Sequence, residues 1–185
     1  NLMILEAAGC DEYNTLLIAS GSTAADSLSA SSTGQPILMV GEELTAEQKT
    51  WLKDNKFSQY VILGGNAAVS ASVQKAIADI SGTEVKRLAG SNRFETSTKI
   101  AAEFFECVDD VTFAYGWDFP DGLSGGPVAN ACGAPVILIT DSADECSFAK
   151  NYLNKWELGH AYIMGGTARI SDKTVTGMID YLDIA

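Results

Sequence analysis

Histidine and clustered cysteine are what this sequence most lacks. His160 is its only imidazole, and Cys10, Cys107, Cys132 and Cys146 form no C-x-x-C pair. Zinc ligation of the usual spacing therefore has nothing to build on. Cys132 and Cys146 flank a predicted strand and suit a disulfide if their Cβ atoms meet; the alternative is four small buried hydrophobes. No G-x-G-x-x-G or Walker loop is present, which leaves nucleotide binding without a motif. No apolar run approaches the roughly 18 to 20 residues of a spanning helix. The N-terminus lacks the basic-then-apolar layout of a signal peptide; Asn1-Leu2-Met3-Ile4-Leu5 reads instead as a cut or processed start of something longer. Basic charge is scarce too: 12 Lys and Arg face 24 Asp and Glu, for a net charge of −12. That balance opposes sequence-independent binding of nucleic acid and attraction to anionic membranes. A local basic site stays compatible with it, because salt confines a surface field to roughly 8 Å.

What is present is ordinary globular material. Hydrophobic residues make up 46% and charged residues 19% of 185 positions, enough for one medium domain or two small packed ones. The chain also repeats itself. Leu17-Ile18-Ala19-Ser20-Gly21 and Ala25-Asp26-Ser27-Leu28-Ser29 match Thr112-Phe113-Ala114-Tyr115-Gly116 and Pro120-Asp121-Gly122-Leu123-Ser124 at an offset of 95. Pro36-Ile37-Leu38-Met39 matches Pro135-Val136-Ile137-Leu138 at 99, and Val61 to Ser70 matches Tyr162 to Ser171 at 101. The order is preserved and the offset drifts only through loops. Two copies follow, at residues 1–84 and 85–185.

Each copy has one grammar. Apolar runs at Thr15 to Ala19 and Val111 to Tyr115 end in glycine, as buried strands do. Helices with a small-residue face begin near Asp26 and Asp121. Second strands are expected at Pro36 to Val40 and Pro135 to Thr140, and helices from Thr45 and Asp144. Third strands at Gln59 to Leu63 and Ala161 to Met164 run into Gly-Gly turns, after which Ser70 and Ser171 are N-caps. Val69, Val73, Ala76, Ile77 and Ile80 form an apolar stripe. Strands rich in Val, Ile and Leu alternating with helices predict an α/β fold, with layered parallel sheets and helices on both faces. Between the copies a short strand is expected at Val85 to Leu88 and a helix from Asn92 through Phe105, with Ile100, Phe104 and Phe105 toward the core. Lys86, Arg87, Arg93 and Lys99 make this the most basic stretch.

Arg87-Leu88-Ala89-Gly90-Ser91-Asn92-Arg93-Phe94-Glu95-Thr96 resembles the R-L-x-G-x-x-R-[FY]-x-T signature of the type 2 cell wall binding repeats of clostridial and related Gram-positive surface proteins. Phe119-Pro120-Asp121-Gly122-Leu123-Ser124-Gly125-Gly126 is similar to that family's F-P-D-A-L-[SA]-G-[GA] segment. Pro135 to Leu138 resembles its P-I-L-L segment, and Ile163 to Ser171 its [IV]-[IL]-G-G-x-x-A-V-S segment, with Arg169 in place of valine. The resemblance implies a Toprim-like or flavodoxin-like repeat, usually three to a pseudo-trimer. It implies non-catalytic anchoring at the cell surface to an anionic wall polysaccharide, with no cofactor. A further repeat or a homo-oligomer would then supply the missing third. The first copy departs from the pattern: it has no R-L-x-G-x-x-R segment, and Ala24-Ala25-Asp26 stands where Phe119-Pro120-Asp121 stands in the second.

The candidate ligand-binding residues are Arg87, Asn92, Arg93, Asp121, Ser124, Pro135, Gly165 and Gly166. Guanidinium forks suit phosphate or carboxylate, and Gly-Gly turns before helices suit anions. Each has a plainer alternative: Arg87 and Arg93 pairing with Glu84 or Glu95, the glycines making tight turns, and Asp121 favouring its helix N-terminus. Arg169 is either solvent-facing or part of a site. His160 reads as a surface residue, and Asp118 with Asp121 makes a thin case for metal or acid–base chemistry. Two other readings compete with anchoring: a structural assembly repeat without a polymer ligand, and a Toprim-like phosphate-ester enzyme.

Overall fold

A computed structural model describes residues 1–184. They divide into two compact units: Asn1–Ser27 with Gln35–Ala89, and Leu28–Gly34 with the residues from Gly90 onward. The units cut across the repeats. The strand opening the second repeat lies in the first unit, and Leu28–Gly34 of the first repeat lies in the second.

In chain order the first repeat gives α1 (Leu2–Ala8), β1 (Thr15–Ser20), α2 (Ala25–Ala30), β2 (Ile37–Val40), α3 (Ala46–Asp54), β3 (Gln59–Leu63) and α4 (Ala71–Ser81), followed by β4 (Val85–Leu88). The sheet of the first unit is wholly parallel in the order β2-β1-β3-β4. Every residue of β1 is buried, which a central strand covered on both faces requires. Leu16, Ile18, Leu38, Trp51, Tyr60, Ile62, Val73 and Ile77 make one core with it. Helix starts are written locally. Thr45 and Gln48 form a capping box on α3, and the Ser70 hydroxyl accepts from the Val73 amide at the head of α4.

The second repeat continues with α5 (Arg93–Phe104), β5 (Asp110–Tyr115), α6 (Pro120–Ala131), β6 (Val136–Ile139), α7 (Ser147–Leu153), β7 (His160–Met164) and α8 (Asp172–Leu182). Its sheet is parallel in the order β6-β5-β7. The core holds Phe113, Ile137, Ile139, Leu153, Ile170 and Met178. The outer edge of β6 is covered by hydroxyls: Val136 N donates to Ser32 Oγ at 3.2 Å and Leu138 N to Ser97 Oγ at 3.2 Å. Helix α6 contains Pro127 and three glycines, a sequence of poor intrinsic helicity. Packing accounts for it: a Cβ at Gly122, Gly125 or Gly126 would run into Leu28, Met164 or Ser31.

Four expectations need amending. Cys132 and Cys146 are both free, Cys132 exposed and Cys146 buried in the core. Cys146 donates its thiol to the Ser142 carbonyl at 3.2 Å, and burial pushes its pKa up. That same turn moves the α7 start from Asp144 to Ser147, with Ala143–Glu145 forming a 3-10 turn. Cys10 is buried but Cys107 is exposed, so only two of the four cysteines behave as buried hydrophobes. Ile100 is buried as expected, whereas Phe104 and Phe105 are only half-buried.

Candidate functional site

The first motif resolves into bonds. Arg87 on β4 donates from Nε and Nη2 to Gln74 Oε1 at 3.2 and 2.9 Å, and from Nη1 to the Gly64 carbonyl at 2.8 Å. Partial burial lowers its pKa. Asn92 caps α5 by accepting from Glu95 N at 3.0 Å. Glu95 accepts from Ser91 N at 2.6 Å and pairs with Lys99; the bonding to Ser91, and then Lys99, holds its carboxyl down at about 2. Gly90 lies against Glu95 with no room for a Cβ, and its amide donates to Thr96 Oγ1 at 3.0 Å. Arg93 donates to the Gly116 carbonyl at 2.8 Å and lies 4.6 Å over the Trp117 ring. Phe94 meets the same ring edge-on at 5.5 Å and occupies the space a Cβ at Gly116 would need. Both arginines therefore have intramolecular partners, but amide and carbonyl oxygens rather than the carboxylates expected.

The other candidates lie apart. The backbone of Asp121 is in the first turn of α6, and its side chain lies outside the described residues. Ser124 is exposed on the same helix. By letters it sits in a G-x-S-x-G pattern, Gly122 to Gly126, yet mid-helix rather than at the strand-to-helix elbow that exposes a nucleophile. Pro135 is buried at the amino end of β6, its carbonyl accepting from Thr112 N at 3.0 Å. Gly165 and Gly166 are exposed at the carboxyl end of β7, with Gly165 at φ 121. His160 starts β7 and bonds Asp110 at 3.0 Å on the exposed surface. Among the described residues, no three of His, Cys, Asp and Glu converge as a metal site would require.

Ligands of open α/β sheets gather at the carboxyl ends of strands, where the strand order reverses. In the first unit that place holds a crevice of about 390 Å³ whose polar lining includes Ser20, Ser22, Thr23, Asn66 and Ser70, with Glu42 as its one charged residue. The repeat offsets put Tyr115, Trp117, Asp118 and Arg169 at the positions of Ser20, Ser22, Thr23 and Ala68. The second repeat thus replaces a hydroxyl-rich crevice by aromatics and charge. Trp117 is 55% exposed. Arg169 pairs with Asp118 at 2.6 Å and lies 6.0 Å over Tyr115. Asp141 Oδ1 accepts from Ser171 N, Ser171 Oγ and Thr174 Oγ1 at 2.7, 2.7 and 2.9 Å, so the head of α8 already receives an internal carboxylate. Those bonds lower the pKa of Asp141. The motif reading passed over Trp117 and Tyr115 and left Arg169 open; the difference between the two copies at those positions was the available signal.

Comparison with known proteins gives a consistent answer. The sequence profile of the family described as Cell wall binding domain 2 (CWB2) matches residues 1–74 and 87–175. The chain is similar to the N-acetylmuramoyl-L-alanine amidase LytC of Bacillus subtilis (strain 168), 29% identical over 164 residues, which are 86% of this chain and 32% of the amidase. Among solved structures, Cwp6 from Clostridium difficile superposes with a TM-score of 0.83 at 27% identity, over 92% of this chain and 28% of its own. Cwp8 from Clostridium difficile shares the fold with a TM-score of 0.80 at 23% identity, over 95% of this chain and 30% of its own. The chain thus spans about a third of the length of each.

Proposed function

The chain belongs to the cell wall binding domain 2 family, and from that premise we propose that it is a non-catalytic anchoring module holding a surface protein, outside the cell, to an anionic wall glycopolymer. A teichoic-acid-like polymer or a phosphorylated polysaccharide fits the reading, and other parts of the parent protein would carry any activity. The observation that carries it is the cluster at the carboxyl ends of β5 and β7. An exposed indole is stiffened by Arg93, and Arg169, from the turn after β7, pairs with Asp118 next to that indole in the chain. An indole face accepts the apolar face of a sugar ring, and guanidinium groups accept phosphate or carboxylate. Arg93, Gly165 and Gly166 lie at these strand ends. Asn92, Asp121 and Ser124 remain further candidate contacts, as do Arg87 and Pro135.

The assembly-only reading is favoured by one observation, the engagement of Arg87 by Gln74 and Gly64. Co-sedimentation with wall material separates the two. Binding should require the anionic polymer and weaken with salt. Trp117→Ala and Arg169→Ala should each cost on the order of 1 kcal/mol per contact, about fivefold in affinity, with unchanged circular dichroism. Folded variants that bind as the parent chain does would refute the site. A folded parent chain that ignores the polymer would refute anchoring by this chain.

A further inference from the structure

The first repeat carries a cavity at a place where the second repeat has large side chains of its own. Between α1 and α3, within the first unit, lies an open cavity of about 640 Å³, the size of a small-molecule site. Except for Leu2, α1 contributes to it from its carboxyl half and the turn beyond. Leu5, Cys10 and Trp51 line it from the core. Every charged residue among those described around it is acidic: Glu6, Glu47 and Asp54, all exposed. The second repeat shows what is missing. Leu5 and Ile100 are counterparts at the offset of 95, both buried, which sets Cys10 against Phe105. Thr45 and Cys146, the N-cap positions of α3 and α7, are counterparts at 101, as are Trp51 and Tyr152. That register sets Glu47, Asp54 and Asn55 against Phe148, Lys155 and Trp156. Phe105 and Trp156 pack against the core of the second unit, and the Lys155 ammonium lies 4.8 Å over the rings of both Tyr152 and Trp156. The first repeat keeps the aromatic floor at Trp51, replaces two large rings by a thiol and an amide, and reverses the charge at Asp54.

We infer that this cavity binds a small organic cation, a primary ammonium carried on a flat apolar body. The body takes the place that Phe105 and Trp156 hold in the other repeat, and removing its surface and that of Leu5 and Trp51 from water drives the binding. The ammonium supplies the charge that Lys155 supplies there, here drawn by the carboxylates of Glu6, Glu47 and Asp54. The same rim repels an anion. The cavity thus differs in ligand class from the cluster at the ends of β5 and β7, and it stands independently of the wall-polymer reading.

Tryptamine, which joins an indole to an ammonium, is the probe; tryptophol and indole-3-propionate carry the same ring with a neutral and an anionic head. Titrated into the intact chain and followed by NMR, tryptamine should shift the amides of Leu5, Cys10 and Thr50 and the indole NH of Trp51, with a millimolar or tighter midpoint. Tryptophol should bind about fivefold more weakly, the sum of several exposed charge contacts, and the propionate more weakly still. Glu6→Gln, Glu47→Gln and Asp54→Asn combined should erase that preference without unfolding the chain. Cys10→Phe with Asn55→Trp should refill the cavity and abolish binding. Silence at these residues, equal binding of tryptamine and tryptophol, or an unchanged preference in the triple variant overturns the proposal. If the filling variant misfolds, the ligand series and the triple variant, whose changes are all on exposed side chains, decide the matter. An acetylated Lys-Trp amide presents the same two groups on a peptide. Binding of that peptide about tenfold tighter than tryptamine would give the cavity to a partner's chain and overturn the small-molecule assignment.

Discussion

Arg87 shows how a single side chain can be chemically conspicuous and still be misread. In an acidic chain an arginine is expected to seek a carboxylate or a ligand. This one spends its donors on Gln74 Oε1 and the Gly64 carbonyl. Gln74 lies thirteen positions earlier, and only the return of the chain from α4 into β4 brings it close. A reading by charge passes over such a neutral partner. Arg87→Ala should lower stability by about 1–3 kcal/mol, because two acceptors lose their donor. Lysine, a point donor, should restore only part of that. Urea unfolding at constant m-value is the measurement, and an unshifted midpoint would contradict the assignment. Trp117 and Arg169 were harder still to find, since nothing within the second copy marks them until the first is laid beside it.

Elements were legible wherever the signal was local. Thr45, Ser70, Asn92 and Ser171 all cap the helices expected of them, because an N-cap bond reaches only three residues. The start of α7 was not legible: Asp144 is a good capping residue, but burial of the Cys146 thiol fixes the turn instead. Local capping also makes one helix terminus pH-sensitive. The carboxyl of Glu95 sits at about 2 in the fold, below its ordinary value of 4.5. A depressed carboxyl stabilises above the unfolded value, and that contribution is lost as pH falls from 4.5 toward 2. The melting temperature of the parent chain should therefore drop more steeply over this window than that of Glu95→Gln. Asp141, lowered by Ser171 and Thr174, acts in the same sense, so adding Asp141→Asn should flatten the profile further. Parallel profiles would remove both carboxylates from the account.

At the scale of the molecule, the repeat read from sequence and the compact unit are different things. Residues 1–84 lack the strand that completes their sheet, and residues 85–185 lack Leu28–Gly34, whose Ser32 covers the edge of β6. Neither half, expressed alone, should melt cooperatively; near-ultraviolet circular dichroism would show this, and a sharp transition in either would disprove it. Sequence self-similarity reveals what was copied, whereas packing decides what coheres, and the two drift apart when a strand is lent across a boundary. The excursion of Leu28–Gly34 matters in one more way, because it decides the order in which a pulled chain comes apart. The chain leaves the first unit after Ser27, is gripped in the second, and returns at Gln35. A pull on the N-terminus that strips β1 from its sheet next meets residues held by the other unit. The load is thereby passed on before the first unit has unravelled.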